Sequence, residues 1–326
     1  MLTAEQHAMR RSGVGASEVA AVLGLSKWKS PVEVWAEKVG LMARDTSEMR
    51  LDQKLGHYME PVMSRLYIDE RPEVQLDERG TLIGPEPWMF ATPDRFATVG
   101  EYPPHDEPII HDQWLVQFKT KSYRTFIGFG ADGTDEIPDD ILCQVTWEMA
   151  VACRDRCDVG VLVDGREWHV FPVLYDVQLA GDLMSRVGDW WKRYVIGNVE
   201  PPVGQHAQDV EYLKKRYNKT NGSALQCTPD LERMVSRYAA ATERMDEAKM
   251  EAENAKAGLM QAMGEHTTLV TPGGKLLWNQ VKGRKRLDVD ALLTSYEPDA
   301  AKRAAQIELY TKIGAPSRQF RLYPSH

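Results

Sequence analysis

Met89-Phe90-Ala91-Thr92-Pro93-Asp94 and Trp114-Leu115-Val116-Gln117-Phe118-Lys119 are two apolar, strand-like runs that each end in polar residues, with Gln117 following 23 residues after Asp94. Successive side chains of a strand alternate faces, so Gln117 and Lys119 project to the same side. An Asp, an oxygen acceptor and a Lys meeting at one sheet end can hold a hard divalent cation and place a water against a phosphodiester. Such a cation takes oxygen ligands and acidifies its water, and the lysine adds positive charge or helps activate that water. Pro-Asp by itself is more often simply a turn.

Outward from these runs the chain alternates helix and strand signals. Gly15-Ala16-Ser17-Glu18 opens a short apolar helix to about Leu23, with Ser17 as candidate N-cap. Ser30-Pro31-Val32-Glu33 supplies Ser at N-cap, Pro at N1 and Glu at N3, and predicts a helix through about Val39. A third helix is expected from about Glu48 to Asp69. Strands are expected near Thr81–Ile83, Trp88–Ala91 and Trp114–Lys119, the last two separated by a Pro- and Asp-rich loop, Glu101 to Gln113. Asp140–Ala152 has helical period, Val159–Val163 and Glu167–Val173 flank the hairpin signal Asp164-Gly165, and Gln178–Gly197 reads as an amphipathic helix. Trp190 and Trp191 on that helix read as packing residues rather than base-stacking ones.

After Pro201-Pro202 the composition changes. A polar segment leads to a long helix, Pro229 to Met263, rich in Ala, Glu, Lys, Met and Arg, and then to two short strands around Pro272-Gly273-Gly274. These features divide the chain into an α/β core over 1–203 and a C-terminal helical extension with a short hairpin over 204–326, without internal repeats.

The 326 residues, 43% apolar and 27% charged, suit a globular protein. The first residues lack a signal-peptide apolar core and no stretch approaches 18 uninterrupted apolar residues, so the expected compartment is the cytoplasm and no membrane is involved. Cys143, Cys153, Cys157 and Cys227 form no CxxC pair and read as free thiols. His57, His105, His111 and His169 lack metal-ligand spacing, and the lack of a GxxxxGK[ST] loop argues against an ATP-driven helicase. A net charge of −8 argues against a protein that coats nucleic acid through bulk charge. It leaves room for an enzyme that confines positive charge to one groove.

Several landmarks in order resemble the YqaJ-like, lambda-exonuclease-type phage recombination nucleases of the PD-(D/E)xK superfamily. Arg11-Ser12-Gly13-Val14-Gly15-Ala16-Ser17-Glu18-Val19-Ala20 is similar to their opening motif, and Gly56-His57-Tyr58-Met59-Glu60-Pro61 to their G-x-x-[LM]-E-P helix. Ala91-Thr92-Pro93-Asp94 and Val116-Gln117-Phe118-Lys119-Thr120 resemble the two metal motifs. Ile137-Pro138, Gln144-Val145, Met149 and Val151 resemble the helix that follows.

The resemblance implies a restriction-endonuclease-like core, a mixed central sheet flanked by helices. It also implies a Mg²⁺- or Mn²⁺-dependent deoxyribonuclease with two ions, acting 5′→3′ on double-stranded ends. Its 3′ overhangs would feed a single-strand annealing partner, and the nuclease would work as a ring-forming homo-oligomer. Asp94 and the Phe118 carbonyl are then metal ligands, Lys119 positions the attacking water, and Glu60 serves a second ion or its water. Arg11 and Ser17 grip a phosphate, and Gln144 orients substrate or water. The family has Glu where this chain has Gln117, so the amide keeps an oxygen donor and loses a charge. An engineered trap, which the otherwise intact motifs favour, a natural variant and a loss of activity all remain open. A silent DNA-end-binding protein and a structure-selective endonuclease are the alternative functions.

Overall fold

The computed structural model describes residues 11–42, 51–100, 113–272, 274–280, 289–297 and 299–311. His105, His111, the expected helix start near Glu48 and nearly all of the 101–113 loop lie outside them. The chain divides into two compact units, Met1–Tyr217 and Asn218–His326.

The first unit is built on a mixed five-stranded sheet. In order across the sheet its strands are β2 (Val74–Asp77), β5 (Arg95–Val99), β6 (Gln113–Lys121), β7 (Arg156–Val163) and β8 (Glu167–Leu174). Only the β6–β7 pair is parallel, with Gln117 opposite Val159 and Lys119 opposite Val161. That pair needs a crossover, supplied by helix α4 (Asp139–Ala152).

Alternation along β6 divides its side chains between two cores. Leu115 joins Val145 and Met149 of α4 and Val159 and Val161 of β7. Val116 and Phe118 meet Met63 and Tyr67 of helix α3 (Leu51–Glu70) on the other face. Gln117 and Lys119 therefore belong to the α4 face, sharing one side as the alternation requires. Tyr67 also donates to buried Asp158, at 2.6 Å, while Arg156 grips the same carboxylate with two nitrogens. This buried charge is paired, as a stable interior demands.

A smaller sheet brings the N-terminal motif to the metal motif. Strand β1 (Val14–Gly15) runs parallel to β4 (Met89–Ala91), which also pairs antiparallel with β3 (Leu82–Ile83). Val14 N donates to Trp88 O at 2.7 Å. A Cβ on Gly13 would lie 2.2 Å from that same carbonyl and 2.3 Å from the Phe90 ring, so only glycine lets the two strands meet.

Behind this sheet, helices α1 (Ala16–Val22), α2 (Pro31–Lys38) and α5 (Val177–Trp190) enclose a third core that includes Trp147, Trp190 and Trp191. The last two are buried as expected, and Trp191 stacks on Trp88.

Local signals located most elements, with specific corrections. Ser30 caps α2 through Glu33 N. Asp164 and Gly165 both have positive φ, 47° and 67°, the geometry of a primed hairpin turn. Ser17 is not the cap of α1: Gly15 holds that place, its N–H bonded to Glu18 Oε2 at 3.0 Å, and Ser17 is exposed inside the first turn. The α5 helix gives way to a π-helical turn at Trp191–Ile196 rather than running on as α-helix.

Strands β2 and β5 and helix α6 (Asp209–Arg216) carry no strong sequence signal. The last of these moves the domain boundary. Tyr212 is fully buried and Lys215 pairs with Glu33 of α2 at 2.8 Å, so the core runs to Tyr217 and not to 203.

The second unit holds α7 (Pro229–Met263), the hairpin β9 (Thr268–Thr271) and β10 (Gly274–Leu277), α8 (Val289–Tyr296) and α9 (Ala300–Tyr310). Thr228 caps α7 through Leu231 N, with Pro229 at N1.

Candidate active site

Asp94 stands just before β5, where the chain turns out of β4. One of its oxygens, Oδ2, accepts the backbone N–H of Phe118 at 2.8 Å. This bond ties the Pro93-Asp94 run to the Gln117-Phe118-Lys119 run and fixes the carboxylate against β6. Burial pushes the Asp94 carboxyl up and the nearby Glu60 charge adds to that, against the opposing pull of Lys119 and the Phe118 N–H. Glu60 comes from α3, on the opposite side of the sheet from α4, and its Oε1 lies 2.8 Å from His57 Nδ1. Two helices on opposite faces thus aim polar groups at one sheet end.

Gln117 is buried and its Oε1 has no hydrogen-bond partner. A buried amide oxygen left without a donor is costly unless something else satisfies it, and a cation is one such partner. Among the described residues no group of three or more His, Cys, Asp and Glu is gathered to hold a metal. Gln117 precedes Phe118, whose N–H bonds Asp94, so its amide stands where a carboxylate would add one more acidic group near Asp94. The donor set therefore fits a hard cation, with two carboxylates and one amide oxygen.

Lys119 donates to Gln144 Oε1 at 3.0 Å, and Gln144 Nε2 donates to Glu148 Oε1 at 2.8 Å. Gln144 and Glu148 lie one turn apart on α4, so the pair shares a helix face. Glu148 went unnoticed in the sequence, where it sits between the buried Trp147 and Met149. A carboxylate in that apolar setting, four residues after Gln144, was the available signal. Burial pushes its carboxyl up to about 8, against the Gln144 bond and Lys119, and its Oε2 has no partner.

A raised carboxyl favours the folded state fully only below its unfolded value, and that advantage is lost as pH rises through the folded value. Native Glu148 should therefore cost stability between about pH 4.5 and 8, on the order of a few kcal/mol. Glu148→Gln is expected to flatten that fall while still accepting from Gln144. Urea midpoints at pH 5.5 and 8.5 in EDTA check it; parallel pH profiles for the two proteins would refute it.

Lysines also gather near this sheet end, alongside its carboxyl groups. Lys121 is pushed down first by burial and then by Lys119 and, from the α1–α2 loop, by Lys27, against the pull of Asp140, so both lysines lie within range of it. Arg11 and Ser17 are exposed beside β1 and in the first turn of α1, and neither bonds to Asp94, Gln117 or Lys119. The structure thus gathers Glu60, Asp94, Gln117, Lys119 and Gln144, with Phe118 joined through its backbone N–H. Arg11 and Ser17 are not joined to this group. His169 lies apart, in an aromatic cluster with Phe126 and Phe171.

Over 309 residues the chain is 22% identical to uncharacterized protein YqaJ of Bacillus subtilis (strain 168), covering 94% of this chain and 91% of that one. A crystallised alkaline exonuclease (LHK-Exo) from Laribacter hongkongensis is 22% identical, with TM-score 0.45, covering 66% of this chain and 97% of that one. A phage-related exonuclease from Haemophilus somnus 129PT is 14% identical, with TM-score 0.39, covering 58% and 96%. Residues 5–155, which contain Arg11, Glu60, Asp94, Gln117, Lys119, Gln144 and Glu148, match the family model of the YqaJ-like viral recombinase domain.

Proposed function

We propose that the chain is a metal-dependent deoxyribonuclease that shortens double-stranded DNA from its ends in the 5′→3′ direction. The 3′ overhangs would serve a single-strand annealing protein in phage recombination, with the nuclease working as a ring-forming homo-oligomer. The observation that carries this reading is the buried, unpartnered Oε1 of Gln117 beside Asp94, on the strand that also presents Lys119. Asp94, Glu60, Gln117 and the Phe118 carbonyl would hold one or two Mg²⁺ or Mn²⁺ ions. Such ions supply Lewis acidity toward a phosphoryl oxygen and a more acidic water.

The chain's own groups do the rest. Lys119, steadied by Gln144, places positive charge where the phosphorane's negative charge develops. Gln144 in turn is held by Glu148. Lys27 and Lys121 draw the phosphate backbone toward the same sheet end, and Arg11 and Ser17 take a phosphate further out.

The amide at position 117 favours a second reading, a DNA-end-binding protein with weak or no cleavage. A structure-selective endonuclease is the third. Incubation with Mg²⁺ and either linear or closed circular plasmid separates them. Loss of linear DNA alone, with 5′-labelled nucleotides released first, is expected. Nicking of circles would point to the endonuclease, and end binding without cleavage to the silent protein.

A further inference from the structure

Helix α7 is 35 residues long, yet along it only Met263 is buried. Tyr238 is 44% exposed, Met245 62%, Met234 63% and Leu259 42%. Isolated helices owe most of their stability to packing of an apolar face, so so much uncovered apolar surface calls for an occupant.

The pattern is a heptad seam. Leu231, Tyr238, Met245, Ala252 and Leu259 recur every seven residues as position a. Three residues after each come Met234, Ala241, Ala248, Ala255 and Ala262, as position d. The large side chains are thus at a and the small ones mostly at d.

That asymmetry selects an orientation. In a parallel pair a meets a and d meets d, so Tyr238 would face Tyr238 while Ala248 and Ala255 faced their own copies across a gap. In an antiparallel pair a meets d, and large fills small: Tyr238 against Ala255, Met245 against Ala248, Leu231 against Ala262. Alternating large and small residues across an interface is what close packing requires.

Charge selects the register. In the antiparallel alignment that sets Met245 opposite Ala248, Arg244 of each copy faces Glu251 of the other, while Lys249 faces Thr242 and Lys256 faces Val235. No like charges meet. A slide of one heptad sets Glu251 against Glu251 and Lys249 against Lys249, or Arg244 against Arg244. The parallel pair sets Arg244 against Lys249. In the favoured register the helix ends also coincide, with Pro229 opposite Gly264.

We infer that α7 is a self-association surface, on which a second copy of this chain packs its own α7 antiparallel in a two-stranded coiled coil. This interface lies wholly in the second unit and is independent of the nuclease reading. It is isologous, so it joins copies two by two.

Sedimentation equilibrium of the full chain is the test, with circular dichroism confirming helix content in every variant. The chain is expected to dimerise, or to assemble in multiples of two. Tyr238→Glu, which sets a charge in the seam twice per dimer, should weaken that step on the order of 10²-fold. Arg244→Glu and Glu251→Arg each create like-charge pairs and should each weaken it. An equimolar mixture of those two variants restores both ion pairs and should associate more tightly than either alone. A chain monomeric at tens of micromolar would overturn the inference, as would an assembly that Tyr238→Glu leaves intact. A mixture no tighter than its components would overturn the antiparallel register. A Tyr238→Glu protein that melts earlier at unchanged mass would show that α7 is covered by its own chain, and would overturn it as well.

Discussion

Asp94→Asn is expected to lower the rate of cleavage of linear duplex DNA by on the order of 10³-fold or more, about 4 kcal/mol of barrier, at saturating Mg²⁺. Asparagine is the informative replacement because Asp94 has two tasks. Its Oδ2 accepts the Phe118 N–H, and an amide oxygen can still do that. Alanine would leave that backbone donor without its partner, at about 1–3 kcal/mol, and would confound folding with chemistry. Asn removes the charge and keeps the bond, so its urea midpoint should stay near the parent's while cleavage falls. Single-turnover rates and midpoints together decide it. Cleavage at the parental rate would remove Asp94 from the site.

Gln117→Glu should act in the opposite direction, raising single-turnover cleavage by roughly 10²-fold with little change in DNA affinity. The new carboxylate would add an acidic group near Asp94, already in range of Glu60 and Glu148, and would take the place of an oxygen that now has no donor. It would also be buried among like charges, which raises the cost of ionising it when no cation is present. The variant should therefore be less stable than the parent in EDTA and recover much of that loss in Mg²⁺, a linkage that urea titration with and without the ion reads directly. Faster cleavage would show that the amide holds back a competent nuclease. A variant no faster than the parent, with stability unmoved by Mg²⁺, would make Gln117 a working amide ligand or the site a degenerate one.

Much of the fold was legible because its signals are local. Pro31 after Ser30, the alternation through Trp114–Lys119 and Asp164-Gly165 each state a backbone preference within a few residues. Strand β5 was hidden because Pro93-Asp94 reads as a turn and Arg95 and Thr98 break its apolar run; its pairing with β6 is what makes it a strand. Strand β2 is an edge with only Val74 fully buried, and edge strands carry weak patterns. The true end of the core was hidden for a related reason. Helix α6 is mostly charged, and the Tyr212 that anchors it declares itself only in three dimensions. Glu148 shows the same limit at the site. Its role rests on Gln144, whose partner Lys119 lies 25 residues earlier on a strand, and no window along the chain contains all three with their geometry.

The bond between Asp94 and the Phe118 backbone has one more effect, on the entropy of ligand capture. A free aspartate samples several rotamers, and a cation that binds it must first freeze them, at about 0.5–1.5 kcal/mol per mobile side chain. Here the fold has already done the freezing, because turning the carboxylate away would break a 2.8 Å bond to a strand in the middle of the sheet. The second oxygen is left pointing from a rotor that no longer turns. On the proposed reading, in which Asp94 holds an ion, affinity for that ion is linked to the integrity of β6 itself: whatever loosens the strand also unlocks Asp94, and a partly unfolded chain would forfeit the ion before it loses the residues proposed to bind it.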